Sequence, residues 1–261
     1  MPLPRKQRSS QADWLHTLEG LRRTADRGTA EQMVDRAAEG IRIGLARGAE
    51  RPAYAWSGGK DSVVLGVCAE RAGVTQAALT ITDLEYQAFL AWATDNMPAG
   101  LTVIRRPWNL AWLATHPEML FPGSDGASRW FSGVQGWGLR RYCRTRDIDV
   151  LLMGRRRDDG NYCGPNGQTS YRDRGGFIRW SPLANWTHEQ VLYVIAALDL
   201  PLAPCYSWPR GFRVGTGSWP ARQWTTSIQH GWSEVWEIDP AVVRNAAAVI
   251  PSARDFLACV A

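Results

Sequence analysis

Residues 53–72 read AYAWSGGKDSVVLGVCAERA, and this stretch has three parts of different character. An apolar run comes first, a glycine-rich loop follows at 57–62, and apolar residues at helical spacing come last. The glycines let main-chain N–H groups approach an anion, and the start of a helix adds positive potential. The stretch therefore predicts a strand, a phosphate-binding loop and a helix.

The loop differs from the two commonest nucleotide-binding patterns. It has neither the spacing G-x-x-x-x-G-K-[ST] nor the spacing G-x-G-x-x-G. It resembles instead the S-G-G-x-D-S loop of the PP-loop ATP pyrophosphatases, also called adenine nucleotide α-hydrolases. The alternative is a plain glycine turn that Ser57 or Asp61 caps.

Two further segments resemble the PAPS (phosphoadenosine phosphosulfate) reductase-like branch of that superfamily. Residues 181–187, SPLANWT, followed by Val191 and Tyr193, resemble its P-L-x-x-W-T-x-x-x-V segment. Residues 153–159, MGRRRDD, follow a predicted strand, where that branch has a G-x-R segment that contacts phosphates. Arginine is suited to this because its guanidinium binds phosphate through two hydrogen bonds. A solvated basic turn is the alternative for the arginines.

The resemblance implies roles for particular residues. It implies that ATP binds with Mg²⁺, that the loop holds pyrophosphate, and that the arginines stabilise charge at the α-phosphate. The implied catalytic residues are Lys60, Asp61, Arg155 and Arg157. The implied nucleotide-binding residues are Ser57, Gly58, Gly59, Asp61, Ser62, Thr82, Asp83, Gly154 and Arg156. Asp61 is also the candidate Mg²⁺ ligand. Asp83 and Glu85 follow the second predicted strand, where a carboxylate can hold a hydroxyl or Mg²⁺, or Asp83 can cap a helix.

Four short apolar runs, at 53–56, 77–82, 101–105 and 150–153, alternate with helical patterns. This alternation favours an α/β fold with a parallel sheet, and the resemblance implies a Rossmann-like sheet of about five strands. We expect an N-terminal helical segment at 1–48 with a helix over 30–46, a nucleotide-binding domain at 49–200, and a C-terminal extension at 201–261. The segment 107–147, with a helix around 131–144, is expected to shape a substrate pocket.

Composition limits the class of protein. The chain has 261 residues, a net charge of +5 and 14 tryptophans. No apolar run approaches the roughly 18 residues needed to cross a membrane, and residues 1–10 do not resemble a secretory signal. A cytoplasmic protein is therefore expected.

The five cysteines are far apart, and no C-x-x-C pair is present. The E-C-G-x-H tail of assimilatory PAPS reductases is missing, so redox chemistry is not expected. Cys143 and Cys163 flank the arginine segment and are candidates to carry a persulfide. Cys68, Cys205 and Cys259 are expected to be buried structural residues.

The resulting hypothesis is an enzyme that adenylates a substrate, releases pyrophosphate, and then transfers sulfur or nitrogen. The acceptor is a small molecule or a nucleic acid, with a possible sulfur-donor protein and a possible oligomer. One alternative is a reductase-like protein that binds PAPS or adenylyl sulfate without the usual cysteine. Another is a non-catalytic module that binds nucleotides or nucleic acid, which the tryptophans and Arg5, Lys6 and Arg8 suggest.

Overall fold

A computed structural model describes residues 9–221, 225 and 227–260. The basic residues Arg5, Lys6 and Arg8 lie outside the described residues. Six strands form one sheet: β1 (Pro52–Ala55), β2 (Ala77–Ile81), β3 (Leu101–Arg105), β4 (Val150–Leu152), β5 (Ser170–Arg172) and β6 (Ile178–Trp180). The helices of the first two thirds are α1 (Gln11–Thr24), α2 (Arg27–Leu45), α3 (Lys60–Arg71), α4 (Gln87–Asn96), α5 (Leu110–Ala114), α6 (Gly123–Trp130) and α7 (Trp137–Thr145). Those of the last third are α8 (His188–Ala197), α9 (Gly211–Val214), α10 (Ile228–Ile238), α11 (Pro240–Ala247) and α12 (Pro251–Val260).

The strand order is β3-β2-β1-β4-β6-β5, and all neighbouring strands are parallel except the edge pair β5 and β6. The predicted Rossmann-like α/β fold is confirmed, with five parallel strands and one added antiparallel strand. The strand order reverses at β1, which pairs with β2 on one side and β4 on the other. In such sheets ligands bind at the reversal, beyond the carboxyl ends of the strands.

Helices cover both faces of the sheet. On one face Leu139 and Cys143 of α7 pack with Ala53, Ala78 and Leu151 of the strands. On the other face α3 packs in the larger apolar cluster, which includes Tyr54 and Leu152 and extends to α1, α2, α8 and the C-terminal helices. The central strands β1 and β4 bury both sides, and their sequences are accordingly apolar.

Several predicted boundaries shift in the structure. The predicted helix over 30–46 is α2, and it begins at Arg27 because Asp26 caps it by accepting a hydrogen bond from the Thr29 N–H. The predicted helix around 131–144 begins with a π-helical turn, Phe131–Gly136, before α7. Thr187 and Gln190 form a capping box at the start of α8. Among the described residues no helix is long and apolar enough to span a membrane.

Candidate active site

The loop 57–62 connects β1 to α3, and its own side chains set its shape. Ser62 Oγ donates a hydrogen bond to the Gly59 carbonyl at 2.9 Å and accepts one from the Ser57 N–H at 3.0 Å. Gly58 has φ +68°, and a Cβ there would lie 2.8 Å from the Trp92 ring. Only glycine therefore fits at position 58. The loop turns tightly into the N-terminus of α3, which gives an anion-binding geometry.

A buried cluster of charges lies behind the loop. Lys60 Nζ contacts Asp61 Oδ2 at 2.7 Å, and Arg156 Nε donates to Asp61 Oδ1 at 2.6 Å. Asp159 Oδ2 lies 3.4 Å from Lys60 Nζ and 3.2 Å from the Arg156 guanidinium. Burial alone would raise the pKa of Asp61, but the charges of Lys60 and Arg156 outweigh it and lower that pKa. The cluster therefore holds Asp61 as a carboxylate.

Two aromatic residues close this cluster from the far side. His188, at the start of α8, has Nδ1 3.1 Å from the Arg156 guanidinium, and the ring of Trp14 in α1 contacts His188 edge-on. Both side chains are buried. Desolvation, and next the charge of Arg156, lower the pKa of His188, so the neutral imidazole is favoured. Sequence reasoning missed Trp14, Asp159 and His188 as members of the site, because each is remote in sequence from the loop or from its partners.

This network pairs the side chains of Lys60 and Arg156 with Asp61 beneath the loop. Both oxygens of Asp61 are already paired with cations, so Asp61 does not fit a Mg²⁺ ligand. Arg156 is fully buried and donates to the Trp186 carbonyl at 2.9 Å, so it ties the loop to the 181–187 segment. Within the described residues no group of three or more His, Cys, Asp and Glu side chains is arranged to hold a metal ion.

A cavity of about 280 Å³ opens between the loop and the carboxyl ends of the strands. Its polar wall includes Ser57, Gly59, Asp61, Ser62, Arg155 and Asn161, and its apolar wall includes Ala55, Ala78, Leu79, Leu139 and Met153. Gly154 packs directly against the loop, since a Cβ there would lie 3.1 Å from backbone atoms of Asp61 and Ser62. The walls thus combine an anion-binding surface with an apolar one. We call this space the loop cavity.

The three consecutive arginines after β4 point in different directions. Arg155 lines the loop cavity, where it donates to the Tyr162 carbonyl at 3.1 Å and lies over the Phe131 ring. Desolvation lowers the pKa of Arg155. Arg157 is exposed and donates to Asn185 Oδ1 and the Gly167 carbonyl. The structure therefore brings Arg155, but not Arg157, to the cavity wall.

The residues after β2 are also separated from one another. Thr82 is buried and donates to the Glu85 carboxylate from both its N–H and its hydroxyl, each at 3.1 Å. Asp83 pairs with Arg105 near the sheet edge and does not line the loop cavity. Of the candidates in this segment, Glu85 is the carboxylate nearest to a cavity wall, as described below.

The C-terminal third contributes directly to the site. The Tyr206 hydroxyl accepts a hydrogen bond from the Lys60 N–H at 2.7 Å, and Thr216 lies against the loop over Gly59. Val214, Gly215 and Thr216 line the loop cavity. Burial raises the pKa of Tyr206, so its hydroxyl stays protonated.

The cysteines are placed differently from one another. Burial raises the pKa of Cys143 to about 12, and burial likewise raises the pKa of Cys163. Neither of these two residues lines the loop cavity. Cys68 and Cys205 are buried, as expected, but Cys259 is exposed near the end of α12, so its predicted burial was wrong. The raised pKa disfavours the thiolate of Cys143 and Cys163, which is the nucleophilic form.

Residues 115–215 match the family model described as the phosphoadenosine phosphosulfate reductase domain. Over these residues the chain resembles a PAPS reductase domain. The matched residues of this PAPS reductase-like chain include the 153–159 and 181–187 segments, whereas the loop at 57–62 lies before them.

Relatives that are named PAPS reductases align with part of this chain. A PAPS reductase of Emericella nidulans is 33% identical over 86 residues, which are 33% of this chain and 27% of the relative. A second, of Xanthomonas axonopodis pv. citri, is 27% identical over 139 residues, 52% of this chain and 55% of the relative. The alignments therefore span between about a quarter and just over half of these relatives.

Solved structures resemble the PAPS reductase-like chain at low sequence identity. The PAPS reductase of Candida auris, in a phosphate complex, is 15% identical in sequence. The alignment covers 75% of this chain and 90% of the Candida auris chain, with a TM-score of 0.49. The U34-tRNA thiolase NcsA of Methanococcus maripaludis, with its [4Fe-4S] cluster, is 14% identical, covers 88% and 80% respectively, and has a TM-score of 0.40.

Proposed function

We propose that this protein binds ATP in the loop cavity and uses it to adenylate an acceptor, with release of pyrophosphate. The observation that carries the proposal is that Arg155 and the loop 57–62 line the same cavity. Phosphates bound at the loop and the N-terminus of α3 would face this guanidinium. The apolar wall at Ala55, Ala78 and Leu139 offers a surface against which the adenine ring can pack.

The proposed reaction follows from this arrangement. An oxygen of the acceptor attacks the α-phosphorus, the bond from that phosphorus to the β-phosphate bridging oxygen breaks, and pyrophosphate leaves. Arg155 stabilises the negative charge that develops at the α-phosphate. A sulfur or nitrogen nucleophile supplied by a donor then displaces AMP from the adenylated acceptor. Mg²⁺ would neutralise phosphate charge. Because both oxygens of Asp61 are paired with cations, the ligands of Mg²⁺ would come from the nucleotide and from water.

The cluster behind the loop has a separate role in this proposal. Three side chains are buried beneath the cavity: Lys60, Arg156 and His188. Each of them contacts Asp159. They fix the position of the loop without reaching a bound phosphate. We call them positioning residues, and we assign phosphate contact to the loop backbone, Ser62 and Arg155.

The names of the curated relatives suggest a second candidate, the binding and reduction of PAPS. Cys205 lines the cavity next to the loop cavity, so a thiol is present close to the site. A reductase would use such a thiol to attack the sulfate sulfur. Reduction requires an external dithiol, which makes the two candidates separable by assay.

The test supplies α-labelled ATP and Mg²⁺, with a lysate fraction as the source of acceptor, and resolves the products. Label in AMP together with pyrophosphate supports adenylation, and label in ADP overturns it. A parallel assay supplies PAPS with reduced thioredoxin and measures sulfite. If the wild-type protein releases sulfite and Cys205→Ser does not, PAPS reduction is the function and the adenylation proposal is wrong.

A further inference from the structure

A second cavity, of about 160 Å³, adjoins the loop cavity. The two cavities have lining residues in common, among them Ser57, Thr80, Phe131, Gln135 and Thr216. A molecule in the second cavity would therefore lie next to a nucleotide in the first. We call this space the aromatic cavity.

Rings from three parts of the chain form its walls. Tyr86 and Phe89 come from the start of α4, Trp130 from the end of α6, and Trp208 and Trp219 from the C-terminal third. Tyr86 and Trp208 meet edge-to-face with centroids 4.8 Å apart. A cavity of about 150 Å³ lined by apolar side chains holds a benzene-sized ring. The aromatic cavity therefore has the size and walls for one flat ring, held by stacking and edge contacts.

One carboxylate stands among these rings. Glu85 lines the cavity and is only 7% exposed. Its Oε1 accepts three hydrogen bonds, from the Thr82 N–H, the Thr82 hydroxyl and the Ser218 hydroxyl at 2.7 Å. Its Oε2 makes no hydrogen bond to any part of the chain that the structure describes. A ligand in this cavity that donates a hydrogen bond to Oε2 therefore gains a contact that no described residue supplies.

The environment of Glu85 supports the same conclusion. Burial raises the pKa of Glu85, against the three hydrogen bonds that lower it. A ligand N–H would return part of the solvation that this carboxylate loses on burial. A hydrocarbon ring would fill the cavity and leave Oε2 unsatisfied.

We propose that the aromatic cavity binds the acceptor, and that the acceptor is a planar single-ring heterocycle with a ring N–H next to a carbonyl. This inference rests on the proposed function, because it assigns the acceptor of the same reaction. The N–H donates to Glu85, and the aromatic walls contact the faces and edges of the ring. The carbonyl oxygen beside the N–H is the atom available to attack a nucleotide in the adjoining loop cavity.

The test uses two probes that differ in one hydrogen-bond donor, 2-pyridone and N-methyl-2-pyridone. Saturation-transfer NMR on the wild-type protein, with and without saturating ATP, measures the binding of each. We expect 2-pyridone to bind about tenfold more tightly than its N-methyl analogue, the scale of one hydrogen bond to a charged group. We also expect ATP to leave pyridone binding undiminished, because the two occupy different cavities.

Two variants locate the bound ring. Trp208→Leu is expected to weaken 2-pyridone binding at least fivefold while ATP affinity stays within twofold. Trp236→Leu is the matched control, since Trp236 is also half-buried but packs on Phe256 outside both cavities. Glu85→Gln is expected to reduce the preference for the N–H probe over the N-methyl probe.

Three results would overturn the inference: equal binding of the two probes, displacement of 2-pyridone by ATP, or no binding of either probe at millimolar concentration. Each leaves the proposed function standing if labelled AMP still forms. If the wild-type protein neither binds ATP nor forms AMP, the proposed function itself is wrong. If Trp208→Leu does not fold, the probe pair on the wild-type protein decides the question alone.

Discussion

Arg156 and Asp61 are 95 positions apart in sequence, yet Nε of the arginine donates to Oδ1 of the aspartate over 2.6 Å in a buried setting. This contact joins the segment after β4 to the loop after β1, the two sides of the crevice at which the strand order reverses. The relative position of the loop and Arg155 depends on it. Its strength is therefore the first property to test.

Replacing Arg156 with alanine is expected to lower the free energy of unfolding by about 3–5 kcal/mol, because Asp61 and Asp159 would lose a buried partner. Arg157→Ala is the matched control, and its exposed side chain predicts a loss of about 1 kcal/mol or less. Urea unfolding followed by circular dichroism measures both. Equal losses in the two variants would contradict a structural role specific to Arg156.

Ser62→Ala is expected to weaken ATP binding by about 1–3 kcal/mol, because the loop loses the hydroxyl that bridges Ser57 and Gly59. Isothermal titration calorimetry gives the affinity. Ser207→Ala is the control, since that residue is exposed and its hydroxyl donates to the nearby Pro204 carbonyl. An unchanged ATP affinity in Ser62→Ala would show that the loop does not bind the nucleotide.

Arg155→Ala is expected to lower kcat for AMP formation by about 100-fold, the scale of losing one group that stabilises transition-state charge. The free energy of unfolding should change by only about 1 kcal/mol, because Arg155 makes few contacts besides Tyr162, Tyr171 and Phe131. Arg157→Ala, in the same basic triplet, should retain near-normal turnover. A larger effect of Arg157 than of Arg155 would restore the original assignment of both arginines to the α-phosphate.

His188 predicts a dependence of stability on pH. Its pKa is lower in the folded protein than the ordinary value of about 6.5, so the unfolded chain binds the proton more tightly. Its contribution is complete above pH 6.5 and is lost as pH falls below that value. Urea unfolding between pH 7.5 and 5 should therefore show a smaller decline for His188→Asn than for the wild-type protein. Parallel declines would mean that His188 does not titrate in this way.

The sequence predicted the elements that local pattern determines. The loop 57–62 and four parallel strands both depend on residues close in sequence. Strand β6 was missed because it has three residues with the buried Arg179 at its centre, which interrupts an apolar run. The antiparallel β5 was missed for a similar reason, since Ser170–Arg172 is short and polar.

The partners within the site could not be predicted in the same way. In the sequence, residues 155–157 are three consecutive arginines that look alike. The backbone path after β4 buries Arg156 and exposes Arg157, and the sequence does not show this path. Trp14 and Tyr206 reach the loop from opposite ends of the chain, and nothing in their local sequence indicates it. Long-range packing decides these contacts, whereas short motifs decide the loop itself.

The last prediction concerns the thiols. Cys143 and Cys163 are buried, line neither cavity, and have a raised pKa, so neither is suited to act as a thiolate at the nucleotide. The double variant Cys143→Ala/Cys163→Ala is therefore expected to form AMP from α-labelled ATP within about twofold of the wild-type rate, since the adenylation step breaks a P–O bond and moves no electrons to sulfur. Arg155→Ala serves as the inactive comparison. Loss of AMP formation in the double variant, with circular dichroism unchanged, would show that one of these thiols takes part in the first half-reaction.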